Sequence, residues 1–134
     1  MVMAETGRIL VIDDSITLLS KVKERLAKDG YEILTTTNAV ANTALLKGCD
    51  LVIIDFHMPG YDGAQVLQAL KKAAVQMGIE PLMYLHTTDQ AEAAGYKKHG
   101  FDGAFAMKGN FDALSKQVQA AFRMIKLRKM QKGG

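Results

Sequence analysis

Five side chains with reactive chemistry stand where apolar runs stop. Asp13 and Asp14 follow the run 9–12, Asp55 closes "LVIID" at 51–55, Thr87 ends "PLMYLHT" at 81–87, and Lys108 follows "DGAFAM" at 102–107. Three carboxylates gathered in one place repel one another and require a cation. Hard oxygen ligands in this number suit Mg²⁺, which keeps several waters and is usually held by one or two carboxylates plus phosphate oxygens. Lys108 offers a point charge for a phosphoryl oxygen, and Thr87 an O–H donor for another. Asp55, central among them, is the natural nucleophile, since an aspartate can accept a phosphoryl group as an acyl phosphate. Position and charge neutralisation are most of what phosphoryl transfer asks of a protein.

For these residues to meet, the elements before them must be parallel strands that end on one edge. The run 9–12 is apolar and rich in β-branched residues. Ser15 can cap a helix in which Leu18, Leu19, Val22 and Leu26 recur at helical spacing, with Gly30 suited to its end. A second strand is expected over 31–37, then a short helix capped by Asn38 and running to Leu46, with Gly48 after it. "LVIID" is apolar up to its last residue, as in a central strand covered on both faces. A helix over 64–77 would turn Val66, Leu67, Leu70 and Val75 inward. A fourth strand falls at 81–87. It is followed by a weak helix at 90–100, with Gly95 inside it. After a fifth strand at 102–107, a long helix carries Phe111, Leu114, Val118, Phe122 and Ile125 on one stripe. Five strands alternating with five helices predict an α/β fold with a parallel sheet between helices, because each crossover is a right-handed βαβ unit. In such sheets chemistry collects outside the carboxyl ends of the strands.

The whole chain sets the bounds. Its 134 residues suit one domain with a real core, and a composition of 49% hydrophobic and 23% charged residues argues against disorder. Cys49 is the single cysteine, so an intrachain disulfide is excluded and a reducing compartment is expected. No stretch approaches a membrane span and the first residues lack a leader pattern, so the expected location is cytoplasmic. The net charge of +3 hides an asymmetry: residues up to Asp112 sum to −3, and those from Ala113 onward to +6.

"ILVIDDS", "LVIIDFHMPGYDG", "YLHTT" and "FAMKG", in this order and on these elements, resemble the receiver domain of two-component response regulators, in particular stand-alone CheY-like ones. The resemblance covers about residues 7 to 127. It implies a flavodoxin-like (βα)5 three-layer sandwich whose five-stranded parallel sheet has the order 2-1-3-4-5. It also implies that Asp13 and Asp14 bind Mg²⁺ together with Asp55, the phosphoacceptor, and the backbone carbonyl of His57. Thr87 would be the switch hydroxyl, Lys108 its salt-bridging partner at the phosphoryl group, and Phe105 the aromatic that changes rotamer with Thr87. A histidine kinase or histidine phosphotransfer protein would donate the phosphoryl group, and a downstream protein would dock on residues 90–127.

The sequence departs from that pattern in three places. Gly109 stands where the family most often has proline, frequently cis, which predicts a looser loop. Thr88 is larger than the usual Ala, Ser or Gly, and would narrow access to Asp55. Phe105 replaces the more frequent tyrosine.

Plainer readings stand beside these. Asp13-Asp14 also fits a helix start, Thr87-Thr88 an N-cap, and Lys108 a surface lysine. His57 reads as an exposed loop histidine, and His86 and His99 show no ligand spacing with it. Cys49, with no histidine nearby to activate it, reads as inert. The basic segment ending in Arg123, Lys126, Arg128, Lys129 and Lys132 could touch a membrane surface, nucleic acid or an acidic partner, but reads first as a solvated helix end. The expected organisation is a receiver domain over 1–128 and a short basic tail over 129–134 with no output domain, as a monomer or weak dimer that binds no nucleic acid. The expected function is a phosphorylation switch without other enzymatic activity. The alternative is a receiver-like interaction module that works without phosphorylation. A hydrolase of small phosphates would want a second acid two residues after the nucleophile, where His57 stands.

Overall fold

A computed structural model describes residues 7–58 and 60–133, without the side chains of residues 61, 132 and 133. The first six residues, read above as carrying no leader, lie outside the described residues, as do Pro59, Gly134 and the side chain of Lys132.

Five strands form one sheet: β1 (Arg8–Ile12), β2 (Glu32–Thr36), β3 (Leu51–Asp55), β4 (Leu82–His86) and β5 (Gly103–Phe105). All are parallel, in the order β2-β1-β3-β4-β5. β3 is buried on every residue, as its unbroken apolar run requires of a strand covered on both faces. Alternation along the strands divides the core. Ile9, Val11, Leu51 and Ile53 pack under α1 (Ile16–Ala27) and the final helix, while Leu10, Ile12, Val52 and Ile54 pack under α2 (Gly63–Met77).

The helices show where sequence patterning succeeds and where it is overruled. Ser15 caps α1 by accepting from the Leu18 amide, and Leu19, Val22 and Leu26 are buried. Asp62 caps α2 in a closed capping box with Gln65. Val75, expected to face inward, is 79% exposed, and Ala74 is buried in its place. Ala74 lies four residues after Leu70, on the same stripe, whereas Val75 is turned about 100° further round.

The segment Val40–Leu46, expected as an ordinary short helix, is a 3₁₀ segment with a kink at Asn42. The Asn42 side chain donates to the Asn38 carbonyl at 2.8 Å, and the Asn38 side chain accepts from the Ala41 amide. Local side-chain bonds thus take the place of the α-helical ladder. α3 (Gln90–Ala94) stops at Gly95, and a 3₁₀ turn (Tyr96–His99) follows. α4 (Phe111–Gly133) buries Leu114, Val118, Ala121 and Ile125, with Phe111 and Phe122 half-buried, and it continues unbroken past residue 128.

Candidate functional site: an acidic edge closed by a lysine

The strand ends converge as the topology requires. β1 and β3 are neighbours with Ile12 opposite Ile54, so the residues that follow, Asp13 and Asp55, emerge together. Asp13, Asp14 and Asp55 each present a carboxylate oxygen within 4.8 Å of the others. Asp13 and Asp55 are buried, and Asp14 is exposed.

Lys108 reaches in from the loop after β5. Its Nζ lies 2.8 Å from Asp13 Oδ2 and 2.8 Å from Asp55 Oδ1. Asp13 is fixed from its other oxygen, which accepts from the Ser15 amide at 2.9 Å. Its Oδ2 is shut off from solvent and has the Lys108 ammonium as its partner. One ammonium against three clustered carboxylates leaves net negative charge that a further cation would offset. Burial is the main force holding the Asp55 carboxyl above its ordinary pKa; Asp13 adds to it, and Lys108 and the His57 amide oppose it. For Lys108, burial disfavours the ammonium, but bonding to Asp13 and Asp55 outweighs it and raises the pKa.

Backbone geometry holds these groups in place. Gly63, the first residue of α2, donates its amide to the Phe56 carbonyl at 2.7 Å. A Cβ there would sit 2.8 Å from Phe56 Cα and 3.1 Å from the Asp55 carbonyl oxygen, so only glycine lets the helix approach the strand end so closely. No described peptide bond is cis, and the Lys108 loop turns instead on two left-handed residues, Met107 (φ 61°) and Gly109 (φ 98°).

The remaining expected residues lie close by, with one surprise. Thr87 is buried, and its backbone amide bonds to the Phe105 carbonyl. Its hydroxyl donates to Glu92 Oε1 at 2.7 Å. Glu92 Oε2 meets His57 Nε2 at 2.5 Å, so one carboxylate ties Thr87 to His57. His57 itself is 70% exposed on its side chain, and Thr88 is exposed. Phe105 is fully buried, its ring centroid 4.6 Å from that of Tyr84. Glu92 was not among the expected site residues. The available signal was its place three residues after Asp89, the N-cap of α3, which turns its carboxylate back toward the strand end.

The other reactive side chains stand apart from this chemistry. Cys49 is buried, donates to the Leu45 carbonyl and has its thiol pKa pushed up to about 11 by burial, so it stays protonated. His86 is buried and held neutral, its pKa lowered to about 3 by burial and then by the Lys108 charge. A cavity of about 260 Å³ adjoins Asp14 and is lined by Thr37, Asn38, Met58 and Val66 among others. A larger one, about 480 Å³, opens beside Tyr84, Asp102, Met124 and Arg128, away from Asp13, Asp14 and Asp55.

Residues 9–121 match the family model for the response regulator receiver domain. The chain belongs to that family. Among curated relatives, this receiver domain is 36% identical over 86 residues to protein PilH of Pseudomonas aeruginosa, covering 63% of this chain and 70% of PilH. It is 29% identical over 122 residues to the sensory transduction protein BceR of Halalkalibacterium halodurans, covering 88% of this chain and 51% of BceR. The receiver domain thus spans about half the length of BceR. Among solved structures, the chemotaxis protein CheY4 of Vibrio cholerae superposes with a TM-score of 0.71 at 24% identity, over 87% of this chain and 98% of that one. The receiver domain of a LuxO repressor protein from Vibrio parahaemolyticus gives 0.77 at 19% identity, over 97% and 100%. These likenesses carry the fold, a parallel five-stranded α/β sandwich. The receiver is a signalling domain, a class that works with a histidine kinase or phosphotransfer partner. No helix of the described residues is long and apolar enough to cross a membrane.

Proposed function

We propose that this receiver domain takes a phosphoryl group from a phosphohistidine onto Asp55. The observation that carries the reading is the single ammonium of Lys108 at 2.8 Å from both Asp13 and Asp55. In the reaction a carboxylate oxygen of Asp55 attacks phosphorus while the bond from phosphorus to the donor's imidazole nitrogen breaks. That nitrogen keeps the electron pair and takes up a proton, and Asp55 becomes an acyl phosphate. Water later attacks the phosphorus, which releases inorganic phosphate and restores the carboxylate.

The three clustered acids, served by a single ammonium, fit Mg²⁺. Asp13, Asp14 and Asp55, with the backbone carbonyl of His57, would hold it, and when bound it neutralises charge on the phosphoryl oxygens. Lys108 pairs with a further phosphoryl oxygen, and the Thr87 hydroxyl donates to another once it leaves Glu92. Phe105, buried against Tyr84, is the aromatic whose rotamer changes with the movement of Thr87. The changed face, residues 90–127, docks a downstream protein, and no enzymatic activity beyond self-phosphorylation and self-dephosphorylation is assigned. Near the basic end of α4, Lys129 is mostly exposed and pairs with Asp50 at 2.9 Å. The free, protonated Cys49 supports a cytoplasmic setting.

The test is intact-protein mass after incubation with Mg²⁺ and acetyl phosphate. A gain of one phosphoryl group is expected, absent without Mg²⁺ and absent in Asp55→Asn. A folded wild-type protein that gains nothing, even from a phosphohistidine donor with a fast quench, overturns the reading in favour of a phosphorylation-independent interaction module.

A further inference from the structure

Two helices in this fold begin with the same chemical pattern, an acid at the N-cap and a Glu or Gln three residues on. In α2 the pattern closes: the Gln65 amide bonds to Asp62 Oδ1 at 2.8 Å, and the Asp62 amide bonds to Gln65 Oε1 at 3.0 Å. In α3 only half of it forms. The Glu92 amide bonds to Asp89 Oδ1 at 3.1 Å. The returning bond is missing, because the Asp89 amide is taken by Thr87 Oγ1 at 3.0 Å. The same Thr87 hydroxyl gives its proton to Glu92 Oε1 at 2.7 Å. Thr87 is therefore inserted into the capping box of α3, as acceptor on one side and donor on the other.

This arrangement has a second state that satisfies the same groups. If the Thr87 hydroxyl turns toward a phosphoryl group, the Asp89 amide and the Glu92 carboxylate are both released, and they are complementary to one another. Glu92 can close the box directly, as Gln65 does in α2. Neither state strands a buried donor, so the exchange has a low cost. α3 is suited to move with it, being five residues long and holding no buried residue. His57 supplies a further tether, since its ring meets Glu92 Oε2.

We propose that Glu92 is a positioning residue for the reaction at Asp55: it holds the Thr87 hydroxyl out of the site until phosphorylation, then takes over the N-terminus of α3 when Thr87 leaves. The inference rests on Asp55 being the phosphoacceptor, and it explains how a bond at the strand ends reaches the 90–127 face. The carboxylate is central to the latch, because a charged acceptor holds the hydroxyl more strongly than a neutral one. Glutamine keeps the ability to close the box but weakens the hold on Thr87.

The experiment compares Glu92→Gln, Glu92→Ala, Thr87→Ala and the Glu92→Gln/Thr87→Ala double variant, with rates of phosphorylation by subsaturating acetyl phosphate read by intact mass at fixed pH. Glu92→Gln is expected to be faster than wild type by about tenfold, the scale of one charge-assisted hydrogen bond. Glu92→Ala, which loses the box as well, is expected to gain less. In the Thr87→Ala background the Glu92→Gln change should alter the rate less than twofold. An unchanged rate in Glu92→Gln, or an equal gain in both backgrounds, overturns the proposal. The Asp89 amide and Thr87 γ-methyl NMR resonances of the unphosphorylated protein give a second readout, expected to shift in Glu92→Gln. If wild type takes no phosphoryl group, the reading of Asp55 fails on its own. In that case unshifted resonances overturn the latch, and shifted ones sustain it as a feature of the resting state.

Discussion

Lys108 Nζ and Asp55 Oδ1 stand 2.8 Å apart, yet the ammonium does not fully offset the cost of burying that carboxylate. Burial is the largest influence and keeps the Asp55 pKa above its ordinary value. A raised folded-state pKa means the native state holds the proton more tightly than the unfolded chain. The favourable contribution is present at low pH and is lost as pH rises through the folded pKa, so ionised Asp55 costs stability at neutral pH. Asp55→Asn removes that cost together with the Asp55 share of the Lys108 pairing, while Asp13 keeps the ammonium partnered. The variant is expected to melt above wild type at pH 7, with the margin narrowing near pH 4, as measured by thermal unfolding without Mg²⁺. Adding Mg²⁺ should raise the wild-type melting temperature through preferential binding to the native state, and should have little effect on Asp13→Asn.

His86 behaves in the opposite sense. It pairs in register with Asp55, is buried, and has a folded pKa of about 3 against an ordinary value of 6.5. The unfolded chain takes up a proton that the native state refuses, so this group's contribution is complete above the unfolded pKa and declines as pH falls toward the folded one. At about 1.4 kcal/mol per pKa unit, it removes about 2 kcal/mol between pH 7 and pH 5. His86→Leu should lose that much less over the same interval. Urea unfolding of both proteins at the two pH values measures the difference directly, and equal losses would show that His86 is protonated in the native state.

Much of this site was legible because strand ends are. Asp13, Asp55, Thr87 and Lys108 each follow an apolar run, and parallel strands bring such ends to one edge whatever the details of packing. Val75 misled because Ala74, small and unremarkable in sequence, occupies the buried stripe beside it. The 3₁₀ segment after β2 escaped because its asparagine bonds depend on geometry that a capping pattern does not specify. Glu92 was hidden more thoroughly. In "QAEAAG" it looks like a solvated helix acid, and only the position of Thr87 in space reveals that its capping partner has been replaced.

The Lys108 loop yields a prediction against intuition. Proline is common in the family where Gly109 stands, so Gly109→Pro resembles a repair. Here Gly109 has φ of 98°, in the left-handed region, while proline holds φ near −65°. With Met107 also left-handed and the Asn110 amide bonded to the Met107 carbonyl, the loop has its own way of presenting Lys108. Gly109→Pro should cost more than about 1 kcal/mol in urea unfolding and slow phosphorylation, because the ammonium is displaced. Met107→Gly relieves a left-handed non-glycine residue and should be neutral or stabilising by up to about 1 kcal/mol.

Gly63 separates stability from positioning. Its missing side chain lets the start of α2 press on the Asp55–Phe56 backbone, and an added Cβ would meet Phe56 Cα at 2.8 Å and the Asp55 carbonyl oxygen at 3.1 Å. Backbone cannot swing aside as a side chain can, so Gly63→Ala must push the strand end or the helix by several tenths of an ångström. Overpacking of this kind costs about 1–3 kcal/mol, an amount that leaves a domain of this size folded. The reaction needs Asp55 aimed correctly, and small misplacements reduce rates far more than they reduce stability. Gly63→Ala is therefore expected to remain folded by circular dichroism while its rate of phosphorylation by acetyl phosphate falls by about tenfold or more. Gly60→Ala is the control, since a Cβ at that position meets nothing within 4 Å. It shares the loop and carries only the penalty of its left-handed backbone (φ 83°). A Gly63→Ala protein that is phosphorylated at the wild-type rate would show that the approach of α2 to β3 serves packing alone.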